Sequence, residues 1–115
     1  MILAKIGVFI TVGIDIIYVP RLKKLAESAL ERIFLDSELS DSRPEHLAGI
    51  WAAKEAFFKA LGRKVDWLAV WIEHDTDGKP KLQSTLLRPN QRAEVSISHD
   101  GDYAVAEVIL YGSEE

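Results

Sequence analysis

The residues best suited to chemistry lie in two stretches, Gly13-Ile-Asp15 and Trp51-Ala-Ala-Lys54-Glu55-Ala-Phe-Phe-Lys59. Asp15 is a lone carboxylate in a β-branched run, where burial disfavours the charged form. A positive group should face it, either a lysine or arginine in an ion pair or a metal ion. Glu55 and Lys59 are spaced i,i+4 with the acid N-terminal, the favoured order for a surface salt bridge worth about 0.2–0.5 kcal/mol. If Asp15 and Glu55 converge, their like charges need a cation between them, and two carboxylates with waters and substrate phosphates are how Mg²⁺ is usually held. From the residues alone this is a candidate Mg²⁺–phosphate site.

The element that must carry Glu55 and Lys59 is a helix from His46 to Gly62. At 100° per residue, Leu47, Ile50, Trp51, Phe57, Phe58 and Leu61 cover one broad face and Ala52, Ala53, Ala56 and Ala60 most of the other. A helix apolar nearly all round is a buried helix. Charges within it cost several kcal/mol unless paired or bound to an ion, which singles out Lys54, Glu55 and Lys59. Ser42-Arg-Pro-Glu45 reads as a capping box at its start and Gly62 as its stop.

Asp15 belongs to a strand. Val8, Ile10, Val12, Ile14 and Ile16 point one way and Phe9, Thr11, Gly13, Asp15 and Ile17 the other, and the run from Ile6 to Ile17 reads as a buried strand. It is too short for the roughly 20 residues of a spanning helix and lacks a signal-peptide cleavage site. From Pro20 to Ile33 the pattern predicts one amphipathic helix, whose Arg21, Lys23 and Lys24 form a basic cluster suited to an acidic partner, or simply a solvated face. Asp36 to Arg43 is a polar loop with room for one helical turn. Trp67 to Glu73 reads as a strand, Asp77-Gly78 as a turn into an edge strand at Lys79-Pro80-Lys81-Leu82, and Ala93–His99 with Asp102–Tyr111 as a hairpin turning at Asp100-Gly101. His99 then lies at the hairpin tip, where a solvated or turn-capping role is the ordinary one. Strand, helices and then antiparallel strands make an α+β domain in which the central helix packs on a sheet.

The 115 residues suit one domain, residues 1–115. A net charge of −4 supplies no basic field, so nucleic-acid binding is not expected. Cysteine is absent, which excludes disulfides and thiolate chemistry and is compatible with a reducing cytoplasm.

Gly13-Ile-Asp15 with Arg21, the stretch Trp51-Ala-Ala-Lys54-Glu55-Ala-Phe-Phe-Lys59-Ala, and Val95-Ser-Ile-Ser-His99 resemble the 4′-phosphopantetheinyl transferases, in length and layout the short holo-acyl-carrier-protein synthase branch. The similarity runs from about Val12 to Val108. It implies transfer of the 4′-phosphopantetheine arm of coenzyme A to a serine of an acyl carrier protein, with release of adenosine 3′,5′-bisphosphate, or a catalytically weak member that binds coenzyme A or a carrier without efficient transfer. Asp15 and Glu55 would match the Mg²⁺ ligands, and Glu55 and Lys59 the catalytic pair. Lys59, His99, Lys79 and Pro80 would lie on coenzyme A, and Arg21, Lys23 and Lys24 on the carrier protein. The resemblance also implies a cytoplasmic homotrimer of that family's fold with active sites between subunits, and no membrane. Three positions depart from the family pattern: Thr11 in place of glycine, Ile50 in place of arginine, and a short passage after Gly62.

Overall fold

A computed structural model describes residues 7–113, in the order β1 (Val8–Tyr18), α1 (Pro20–Lys23), α2 (Glu27–Ile33), α3 (Asp36–Leu39), α4 (Pro44–Leu61), β2 (Val70–His74), β3 (Pro80–Ser84), β4 (Gln91–Asp100) and β5 (Tyr103–Ser113). A 3-10 turn at Trp67–Ala69 precedes β2. β1, β5 and β4 make an antiparallel sheet with β5 in the middle, and β2 and β3 make a separate antiparallel ribbon.

Small residues set how the sheet meets α4. A Cβ on Gly13 would stand 1.8 Å from the Ala56 carbonyl oxygen and 2.8 Å from the Ala60 nitrogen, so β1 lies directly on the helix backbone. Thr11 uses the same closeness: its hydroxyl donates to the Ala60 carbonyl at 2.8 Å. The alternation expected for β1 is therefore present, but the strand is buried on one face only. Val8, Ile10, Val12, Ile14, Ile16 and Tyr18 stand on the other face, between 45% and 75% exposed, because α4 covers one side of the sheet and no other described element covers the second. Ile6, the start of that apolar run, lies outside the described residues, as do the chain ends of the 1–115 span.

α4 is enclosed as its composition requires: from Leu47 to Ala60 every residue is buried except Glu55 and Lys59. Gly62 ends it in the left-handed conformation, φ 83°, with its N–H reaching the Phe58 and Lys59 carbonyls. The expected capping box does not form. A residue before proline is disfavoured in the helical region, so Arg43 is extended, φ −59° and ψ 131°, and the helix opens one residue later than the box requires. Asp41 instead accepts from the Arg43 N–H and guanidinium.

Three further boundaries differ from expectation. The Pro20–Ile33 helix is broken at Ala26, which is extended, because α1 packs on α4 while α2 packs on the 3-10 turn, two surfaces one straight rod cannot reach. The strand expected from Trp67 begins at Val70, since Asp66 accepts from the Leu68 N–H and curls the chain first. The β4–β5 turn is Gly101-Asp102, one residue on, with Gly101 at φ 57°. The helical turn allowed for in the polar loop is α3.

Candidate active site

Trp51, Glu55 and Lys59 recur at i, i+4 and i+8 and so share one face of α4. The Lys59 ammonium donates to Asp15 Oδ1 at 3.0 Å and to the Ile14 carbonyl at 2.9 Å, tying the helix to β1. Asp15 thus has a lysine for its positive partner, with the carboxylate side chain 18% exposed and that of Lys59 57% exposed. Glu55 has different partners. Its Oε2 accepts from Trp67 Nε1 at 3.0 Å and its Oε1 lies 3.5 Å from Lys64 Nζ. The helical Glu55–Lys59 salt bridge is therefore replaced by two tertiary pairs. Both residues open onto one cavity of about 440 Å³, lined also by Phe58, Gly62, Arg63 and Lys64.

The third charge on α4 has a different fate. Lys54 is completely buried, and its three N–H groups go to Glu38 Oε1 at 2.7 Å, the Ile33 carbonyl at 2.7 Å and the Trp67 carbonyl at 3.1 Å. Burial pushes the Lys54 ammonium down from the usual lysine range, while Glu38 opposes that shift. Glu38 also accepts from the N–H groups of Leu35 and Ile72. Sequence patterning anticipates that Lys54 needs a partner but does not single out Glu38 among the acids of its polar segment. Nor does it mark Trp67, read as a strand residue, as a donor to Glu55.

The remaining predicted residues lie elsewhere in the chain. His99 Nε2 sits 2.8 Å from the Glu45 carbonyl, at the first turn of α4, with the imidazole against Gly49. Ten helical residues separate Glu45 from Glu55, roughly 15 Å along the axis. Lys79 and Pro80 line a separate cavity of about 210 Å³ with Ala93, Glu94 and Val95. Arg21 is held over Trp51, its guanidinium 4.8 Å from the ring centroid, one helical turn from Glu55, while Lys23 and Lys24 are exposed beside it. Ile50 is buried and lines a cavity of about 460 Å³ with Arg43, His46 and His74.

Among the described residues no three histidine, cysteine or acidic side chains gather to form a metal cage. Asp15 and Glu55, each already neutralised by an ammonium, supply two hard oxygen donors. That donor set suits Mg²⁺ completed by water and phosphate oxygens, and does not suit zinc. No described helix is long and apolar enough to cross a membrane.

The family model of the 4′-phosphopantetheinyl transferase superfamily matches residues 11–108, from the β1 contact with α4 through most of β5. The chain belongs to this superfamily. Among its relatives in the superfamily, the holo-[acyl-carrier-protein] synthase of Nautilia profundicola is 43% identical over 110 residues, covering 86% of this chain and 97% of the relative. The Bacillus anthracis holo-(acyl-carrier-protein) synthase, solved in complex with CoA (3′,5′-ADP), matches with a TM-score of 0.81 and 32% identity over 92% of this chain and 99% of its own. The Helicobacter pylori synthase in complex with coenzyme A matches with a TM-score of 0.78 and 29% identity, covering 86% of this chain and 98% of that one. The α+β phosphopantetheinyl transferase fold and the synthase branch read from the motifs are thus those of this chain.

Proposed function

We infer that the chain transfers 4′-phosphopantetheine from coenzyme A to a serine of an apo-acyl carrier protein, releasing adenosine 3′,5′-bisphosphate. The convergence of Asp15 with Lys59, one turn from Glu55 on an otherwise enclosed helix, carries this conclusion. In the reaction the serine oxygen forms a bond to the phosphorus bearing the pantetheine arm, and the bond from that phosphorus to the nucleotide's bridging oxygen breaks. Asp15 and Glu55 would hold Mg²⁺, which when bound supplies charge neutralisation on the pyrophosphate. Lys59, half exposed and at the cavity, places an ammonium against phosphate oxygens as negative charge builds on the leaving group. The serine proton passes to Glu55 or to a water beside it.

Arg21 and its neighbours Lys23 and Lys24 stand next to that site and dock an acidic carrier protein. His99, at the Glu45 end of α4, lies about 15 Å along the helix axis from Glu55, and Lys79 and Pro80 line a different cavity, which favours contact with coenzyme A held between subunits. The uncovered apolar face of β1 is the surface on which a homotrimer would assemble. The absence of cysteine accords with work in a reducing cytoplasm.

The test is incubation with apo-carrier protein, coenzyme A and Mg²⁺, with the phosphopantetheine mass read on the carrier by mass spectrometry. A gain that needs Mg²⁺ and disappears in Glu55→Gln is expected. Binding of coenzyme A with no gain on several carriers would leave the weak, binding-only member. Ile14→Glu should turn a trimer into monomers in light scattering and abolish transfer; a wild-type monomer would remove the shared-site proposal.

A further inference from the structure

We propose that Trp67 is a positioning residue for Glu55, itself anchored through its carbonyl by the buried Lys54 of the Lys54–Glu38 pair. This rests on the assignment of Glu55 as a metal ligand. Trp67 is tied into the molecule at both ends. Its carbonyl accepts from Lys54 Nζ at 3.1 Å, and its indole N–H donates to Glu55 Oε2 at 3.0 Å. Lys54 cannot drift, because its other two N–H groups are spent on Glu38 and the Ile33 carbonyl inside a fully buried site. The turn that carries Trp67 is closed by Asp66, whose carboxylate accepts the Leu68 N–H. Adjacent residues of α4 therefore grip the same residue, Lys54 by its backbone and Glu55 by its side chain.

The two oxygens of Glu55 are held unequally. Oε2 has a 3.0 Å bond from a rigid indole, whereas Oε1 has only the 3.5 Å approach of Lys64, an exposed side chain whose ammonium also rests 4.3 Å from the Trp67 ring centroid. An indole N–H is a donor only, so it fixes the carboxylate's rotation without competing for a cation. Oε1 is the oxygen that would hold a divalent ion, with Lys64 giving way as its counter-ion. Partners of metal ligands typically change affinity by about 10–100-fold when removed.

The test measures Mn²⁺ binding by electron paramagnetic resonance on the full chain, with the concentration of Mg²⁺ for half-maximal transfer as a second readout. Trp67→Phe keeps the ring and loses the N–H. It should weaken Mn²⁺ roughly tenfold, raise the Mg²⁺ requirement, and leave turnover at saturating Mg²⁺ and the melting temperature close to wild type. Unchanged Mn²⁺ affinity in Trp67→Phe overturns the proposal. Lys64→Met removes the counter-ion at Oε1 and should tighten Mn²⁺; unchanged or weaker binding would mean that the unequal holding of the two Glu55 oxygens, on which the proposal rests, does not govern the ion, so the proposal is overturned even if Trp67→Phe does not fold. Glu55→Gln is run in parallel. Full Mn²⁺ affinity in Glu55→Gln refutes Glu55 as a ligand, whereas its loss there with none in Trp67→Phe refutes the positioning role alone.

Discussion

Lys54 and Lys59 ride on the same helix, and each pairs its ammonium with one carboxylate, but the two pairs are built for opposite ends. Lys54 is completely enclosed, spends all three N–H groups and joins α4 to the segments around Glu38 and Trp67. Lys59 meets Asp15 at the edge of a cavity with more than half its side chain in solvent. A buried pair is hard to break because each partner alone would be an uncompensated charge. An exposed pair contributes little to stability and is free to exchange its partner for a ligand. The enclosed pair sets the architecture, and the open one is available for chemistry.

Lys54→Met should give the largest effect on this contrast. It strands the Glu38 carboxylate, with only the Leu35 and Ile72 N–H groups left to it, and should cost about 3–5 kcal/mol in urea unfolding. Lys59→Met should lower carrier-modification turnover by roughly 10²–10³-fold while moving stability by about 1 kcal/mol or less. Equal stability losses in these two variants would erase the distinction between the pairs.

Gly13→Ala tests the same contact without removing a charge. The added methyl meets the Ala56 carbonyl, so β1 must lift from α4 and carry Asp15 away from Lys59. A loss of about 1–3 kcal/mol is expected, together with reduced turnover, read by denaturation midpoint and transfer assay.

The smallest effect belongs to Arg43–Asp41 at the open end of α4, a pair with no buried partner. Arg43→Ala should barely move the denaturation midpoint at neutral pH. Its hydrogen bond holds the Asp41 carboxyl well below the usual 3.8, so the contribution is present above that value and is lost as pH falls through the lower folded value. Burial lowers His46 below the usual 6.5, against an opposing pull from Asp41. The folded chain then binds fewer protons than the unfolded one just under 6.5, and stability drops as pH is lowered through that window. His46→Gln should flatten this part of the profile in pH-dependent melting.

The need of Asp15, Glu55 and Lys59 for partners is legible in the sequence because its signals are local. A lone carboxylate in a β-branched strand and charges on a helix without a polar face are conflicts visible within a dozen residues, and Gly62 announces a helix stop for the same reason. The capping box does not form because Pro44 moves the helix start by one residue, a competition between two local rules. Glu38 shares one polar segment with Asp36 and Asp41, and only packing chooses which of them goes inside. Trp67 carried no mark of its indole's use.

Sequence alone sufficed for which residues must not be left unpaired, because the cost of a charge among apolar neighbours follows from periodicity along the chain. Who pairs with whom was settled by the tertiary fold. Lys59 pairs with Asp15 because Gly13 lets β1 lie down onto the helix, and Glu55 pairs with Trp67 from the turn before β2. Contacts between residues so distant along the chain depend on close backbone approach, which no local spacing encodes.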